Sequence, residues 1–273
     1  MNPTSTRRRH LLYLMRLEFK RCWRGRRFAG VFALAIAPLG ILALPAAYFF
    51  SMPRMGVQVP GALPIGYTQF FQVFWLHLAI FFSCATVFSQ LFRSEVQEKT
   101  LHYYFMAPIR REMVVVAKYL AGLSLVGTLF LTTSIATYYL YFSPTRGGRN
   151  WAFSRIGTQH LFNYLSVVVL ACVAYGALFM LIGLIFRNPM IPAIFVLLLE
   201  SFGYVLPPIF QRVTVALYLQ RFIPLTVAHG PFAIMIEPPS ATTSIVVLAV
   251  VSATIIWLST VILRRTQITY SID

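Results

Sequence analysis

Acids are scarce in this 273-residue chain, seven in all, and three of them fall in one short stretch. Residues 93–112 read RSEVQEKTLHYYFMAPIRRE and hold Glu95, Glu98 and Glu112 beside Arg93, Lys99, Arg110 and Arg111. The connection presents both signs of charge and is longer than a simple turn requires. Ser94 and Gln97 have the S-x-x-Q spacing of a capping box, so a helix is expected to begin at Ser94. Glu95 and Glu98 then lie in its first turn, where the helix dipole favours negative charge. Pro108 lacks a backbone donor and restricts the residue before it, which stops the helix near Met106 and bounds it at about 94–107. The segment carries the apolar Leu101 and Tyr104 beside the charges of Glu95, Glu98 and Arg110. The plainer alternative is a solvated loop whose charges mark topology only.

Two other groups with chemical capacity sit inside apolar runs. Glu200 falls about nine residues into its run, roughly 14 Å from the start of that run at 1.5 Å per residue. An acid at that depth costs about 2.5 kcal/mol or more unless it is paired, hydrated or protonated. It is either a lining residue for substrate or protons, or an acid satisfied by a neighbouring helix. His77 belongs to a series, Phe70, Phe74, His77, Phe81, Phe88 and Phe92, whose helical spacing predicts one aromatic face. Phe195, Leu199 and Phe202 offer a similar face on another run. Such faces can border a path for an amphiphile, and ordinary helix packing uses them equally well. Lys118, near the end of its run, is expected to snorkel to the surface. The five histidines (10, 77, 102, 160, 229) do not cluster, and no HExxH or nucleophile–base pattern occurs. No catalytic residue and no metal site is expected. The three cysteines, Cys22, Cys84 and Cys172, are far apart and form no CxxC pair.

The elements that must position these groups follow from composition. The chain is 58% hydrophobic and only 11% charged, against about 25% charged in soluble domains. An all-α membrane protein is expected. A helix needs about 20 apolar residues to span the hydrocarbon core, and six segments meet or approach this: about 28–50, 67–92, 113–142, 161–186, 191–208 and 243–263. The net charge of +16 comes from twenty Arg and three Lys, gathered beside the apolar runs. That is the pattern of a multispanning protein facing anionic lipid, with no separate basic module for nucleic acid. Sixteen cations fall in the N-terminus, the even-numbered connections and the tail, against six in the odd-numbered connections. Both termini are therefore expected to be cytoplasmic. Leu12, Met15, Phe19 and Trp23 against Arg9, Arg16, Lys20 and Arg24 predict an amphipathic interfacial helix over 7–24. The third connection reads as a polar outer loop. The fifth, roughly 209–242, is apolar but broken by Pro224, Pro231, Pro238 and Pro239, and fits short re-entrant or interfacial helices.

With these residues in hand, the 93–112 stretch resembles the first coupling-helix region of permeases of the ABC-2 family. In that pattern Glu98 is the acid, Thr100-Leu101 the Thr-Leu pair, Pro108 the proline, Arg111 the basic residue and Lys118 the lysine opening the next span. Lys99 and His102 depart from it, standing where a glycine and an acid are common. The wider resemblance covers the whole chain as a single permease domain, 1–273. It implies a bacterial inner-membrane transporter, multi-pass, working with two copies of a separate ABC ATPase subunit and a second permease chain, identical or homologous. It also implies that spans two and five border the translocation path, and that export is the direction. ATP and Mg would belong to the partner subunit. None of Lys20, Lys99 and Lys118 follows a glycine, so no P-loop is present, and Asp273 is the only aspartate, so no Walker-B aspartate is either. No cofactor is expected in this chain. An ion-coupled secondary transporter would show paired intramembrane ionisable groups and repeated, interrupted spans, and is the weaker reading. A permease-like chain transmitting force to an outer partner is a further alternative.

Overall fold

A computed structural model describes residues 28–51, 62–97, 111–205, 207–225 and 236–265, together with Met15, Arg16 and Phe19. Among the described residues all regular structure is helical. Helix α1 is Ala29–Ser51. Helix α2, Ala62–Phe70, continues as a π-helix over Phe71–Ile80 and then as α3, Phe81–Gln97. Helix α4 is Arg111–Phe142, and a short α5, Arg146–Ala152, leads into α6, Arg155–Ile185. Then come α7, Met190–Ser201, a 3-10 turn at Gly203–Val205, α8, Pro208–Gln211, and α9, Val215–Gln220. Helix α10, Ala241–Arg265, closes the order.

Five of these helical stretches are long and apolar enough to cross a membrane, not six. The expected fifth span, 191–208, is not one helix. Helix α7 has 12 residues, about 18 Å at 1.5 Å per residue, and it stops before Gly203 and the Pro207-Pro208 pair. The apolar stretch is therefore broken earlier than its prolines alone predict. The third connection also differs from an open polar loop. Thr145 accepts a bond from the Gly148 N–H at 3.0 Å and caps α5, while Ser154 accepts from the Gly157 N–H at 3.1 Å and caps α6.

The core lies among the π stretch, α3, α4 and α6. In the apolar windows of the three central crossings, 56–61% of residues are buried, against 28% in α1 and 22% in α10, so the outer two are peripheral. Small residues set the central spacing, as between membrane helices generally. The Phe88 ring of α3 fills space beside Gly122 of α4 and Gly176 of α6, where an added methyl would sit 2.9 and 2.7 Å from it. One end of the bundle is closed by aromatics. Tyr67 meets Tyr138 and Tyr164 edge-on at 5.3 and 5.1 Å, Tyr138 donates to the Gly157 carbonyl at 2.8 Å, and Thr68 pairs with Tyr164 at 2.7 Å. The other end is closed by charge, where Glu112 of α4 pairs with Arg264 of α10.

Candidate functional site

Most of the 93–112 docking residues lie outside the described residues: Glu98, Thr100, Leu101, Tyr104, Pro108 and Arg110 are among them. What is described corrects one expectation. Helix α3 runs unbroken through Ser94 and Glu95 to Gln97, so Ser94 is interior to a helix and not its N-cap. A capping box has meaning only where a helix starts, and here one is already running from Phe81. Arg111 opens α4.

The two helices flanking this segment are tied at their facing ends. Lys118 is 1% exposed and donates from Nζ to the Leu91 carbonyl at 3.1 Å, with the Phe92 ring centroid 5.4 Å away. It does not snorkel outward, because α3 supplies both a carbonyl and a π face within its reach. Glu112, the third acid of the stretch, is committed to Arg264 rather than left for an outside partner. The segment between Gln97 and Arg111 thus leaves one braced helix end and returns to another.

The aromatic series of span two divides. Phe70 and Phe74 stack at 5.4 Å with a 6° interplanar angle and are half-buried. His77, also half-buried, lies within the π-helix with Nδ1 2.7 Å from the Gln72 carbonyl. A carbonyl only accepts, so Nδ1 is the donor of this bond. Phe81 instead meets Phe179 and Tyr175 edge-on at 5.0 and 5.4 Å in the core, and Phe88 and Phe92 are buried with it. The π-helix closes its bonds over five residues rather than four, so the face before it and the face after it do not line up.

Glu200 is 7% exposed and turned inward, while Phe195 and Phe202 are 64% and 54% exposed and Leu199 is half-buried. Oε1 accepts from the Val215 N–H at 2.7 Å and Oε2 from the Ala216 N–H at 2.8 Å. The buried Tyr175 hydroxyl of α6 bonds the same carboxylate. Glu200 therefore serves as the capping acid of α9 from fifteen residues upstream, satisfying donors that a helix start leaves free. Tyr175 sits about 15 Å from the Ile185 end of α6 at 1.5 Å per residue, near half the ~30 Å hydrocarbon thickness. This node was not visible in the sequence beyond the statement that a deep acid needs partners. Tyr175, Val215 and Ala216 carry no local pattern pointing to it. Helix α7 also packs beside the π stretch, α3 and α6, which brings the two candidate faces into neighbouring elements.

Cys84 and Cys172, separated in sequence, are brought together in the core as neighbouring buried free thiols. Among the described residues no group of three or more His, Cys, Asp or Glu side chains could hold a metal ion.

Comparison with known families adds one finding. A family model described as ABC-2 family transporter protein matches residues 15–203, from the start of the described helical residues to the break after α7. No curated protein matches the chain.

Proposed function

The chain belongs to the ABC-2 transporter family, and on that premise we propose that it is the transmembrane permease subunit of an ABC transporter, driven by ATP hydrolysis in a separate ATPase subunit. The observation that carries the reading is the family match over 15–203, which runs through the 93–112 connection. Two ATPase copies and two permease chains would assemble in a bacterial inner membrane, with ATP and Mg held by the ATPase. The cargo class is an amphiphile or hydrophobe, and the direction is export.

The Glu112–Arg264 pair supports six passages. It holds the last turn of α10 beside the first turn of α4. Between them α4 and α6 make two passages, joined by the short α5, so the chain from Ile185 to Ala241 has to return to the far end before α10 begins. The pieces α7 to α9 make that passage, and the Glu200 node joins them at depth. Broken helices at membrane depth require their freed backbone donors to be covered by protein, which Glu200 does. With both its oxygens taken by backbone N–H groups, Glu200 is engaged as structure rather than as a proton carrier. The cation count places both termini in the cytoplasm.

In this mechanism the stretch from Glu95 to Arg111, with Glu95, Glu98, Thr100, Leu101, Tyr104, Pro108, Arg110 and Arg111, docks in the ATPase. ATP-driven closure then moves α3 and α4 together, because Lys118 binds one to the other. Transmission of this kind needs an element with two arrangements biased from both ends. Phe70, Phe74 and His77, with Phe195, Leu199 and Phe202, border the path, while the buried Phe81 and Glu200 support it from behind.

The test is copurification. An ATPase subunit with Walker motifs is expected to copurify with the full chain and to be lost when 94–108 is replaced by a flexible linker of equal length. Retention of the ATPase by that variant overturns the docking reading.

A further inference from the structure

We propose that the elbow formed by α5 and the start of α6 is a binding surface for the phosphate of an anionic phospholipid. Arg146, Arg149 and Arg155 are all exposed and fall within ten residues. Among the described residues no carboxylate pairs with any of them. This is the end of the bundle opposite the Glu112–Arg264 pair, where cations are depleted in multispanning proteins unless something requires them. Three guanidinium groups this close in sequence, with no carboxylate partner among the described residues, leave positive charge uncompensated at the elbow unless an anion is supplied.

The elbow is built rather than loose. Ser154 donates to the Trp151 carbonyl at 2.6 Å while accepting from Gly157, and the Phe153 N–H bonds the Arg149 carbonyl at 3.1 Å. A methyl on Gly148 would sit 2.5 Å from the Phe142 carbonyl oxygen, and one on Gly157 would overlap the Trp151 carbonyl. The Trp151 ring packs on Phe142 at 4.8 Å, so the arginine-bearing turn rests on the aromatic core. The three guanidinium groups are thus carried on a fixed backbone, and their planar forks suit phosphate oxygens.

The apolar surroundings identify the source of that phosphate. Arg155, Gln159, Phe162, Ser166 and Val169 are the exposed positions on one face of α6, at spacings of four and three. Arg155 therefore heads a face that becomes lipid-facing at Phe162, about 10 Å further along the helix. That offset matches the step from a headgroup phosphate to the upper acyl chains. Phe153, 70% exposed and stacked on Tyr139 at 5.3 Å, flanks the arginines as an interfacial aromatic. A free anion would use the guanidinium groups and leave the apolar rim in water, whereas a phospholipid uses both. The inference rests on the cation count that puts this end on the non-cytoplasmic side, and not on the ABC-2 reading.

The experiment uses the full chain in nanodiscs of equal parts neutral phosphatidylcholine and anionic phosphatidylglycerol, with a benzophenone amino acid replacing Asn150. Photo-adducts at that position, resolved by mass, are expected to favour phosphatidylglycerol, on the order of fivefold for each arginine engaged. The combined R146Q, R149Q and R155Q changes should bring the ratio to parity, and the same three changes to lysine should retain part of it. R155Q alone, at an exposed helix start, gives an intermediate ratio and serves if the combined variant does not fold. Inorganic phosphate is expected not to compete. Parity in the unsubstituted elbow, a preference that survives the three glutamines, or full displacement by inorganic phosphate would each overturn the proposal.

Discussion

Helix α6 and the Met190–Gln220 stretch have similar length and apolar content, yet one is a single rod and the other is four pieces. Helix α6 satisfies every internal backbone group by itself and needs only close neighbours, which Gly176 and Gly183 permit. The methyl of an alanine at 183 would sit 2.5 Å from the Ser89 backbone oxygen, so α3 and α6 touch main chain to main chain. The broken stretch has the opposite requirement. Its breaks free backbone donors, and one carboxylate takes up two of them while a tyrosine from α6 donates to the same group. The rod is held by the absence of side chains, and the pieces are held by the presence of one.

That contrast makes Glu200→Ala the most damaging change. It leaves two backbone N–H groups and the Tyr175 hydroxyl without an acceptor, each costing about 1–3 kcal/mol. Thermal unfolding of the purified chain in detergent should show a loss of about 3 kcal/mol or more, with Glu200→Gln in between. A small loss would mean that the pieces are not joined by this node. Gly183→Ala tests the rod by overpacking and should cost about 1–3 kcal/mol in the same assay, unrelieved by the repacking of any flexible side chain. Tyr175→Phe removes one of three donors and leaves the carboxylate two, so about 1 kcal/mol is expected. Its combination with Glu200→Ala should be less than additive, since both act on one network. Arg264→Gln breaks a pair whose members are each about half exposed, and less than about 1 kcal/mol is expected. Raising the salt concentration in the unsubstituted protein should mimic much of that change.

The same contrast explains what could be read from residues alone. Apolar runs such as 113–142 and 243–263 announce helices by composition, because crossing a bilayer demands a length that few other structures need. The cations beside them announce the ends. The run at 191–208 has the same composition, and only Gly203 and Pro207-Pro208 hint that it does not continue. Glu200 could be recognised as an acid in need of partners, but Val215 and Ala216 lie beyond two prolines and offer only backbone. Lys118 looked able to reach water because its nearer partner, the Leu91 carbonyl, belongs to another helix. The S-x-x-Q spacing at Ser94 misled for a different reason. The local pattern that starts a helix sits inside α3, which runs on to Gln97. The π-helix left no trace at all, since a run that is apolar on every side gives the same pattern at any pitch.

That wider coil between Phe71 and Ile80 has a consequence for how span two is aimed. Loops closed over five positions turn the chain by a smaller angle per residue than the 3.6-residue turn of an α-helix, so the rings beyond Phe81 point where a uniform helix would not send them. The half seated among the tyrosines and the half leading to Gln97 can each meet its own neighbours, with Phe70 and Phe74 half-buried and Phe81 and Phe88 in the core. One crossing thus carries two separately directed faces without a proline between them.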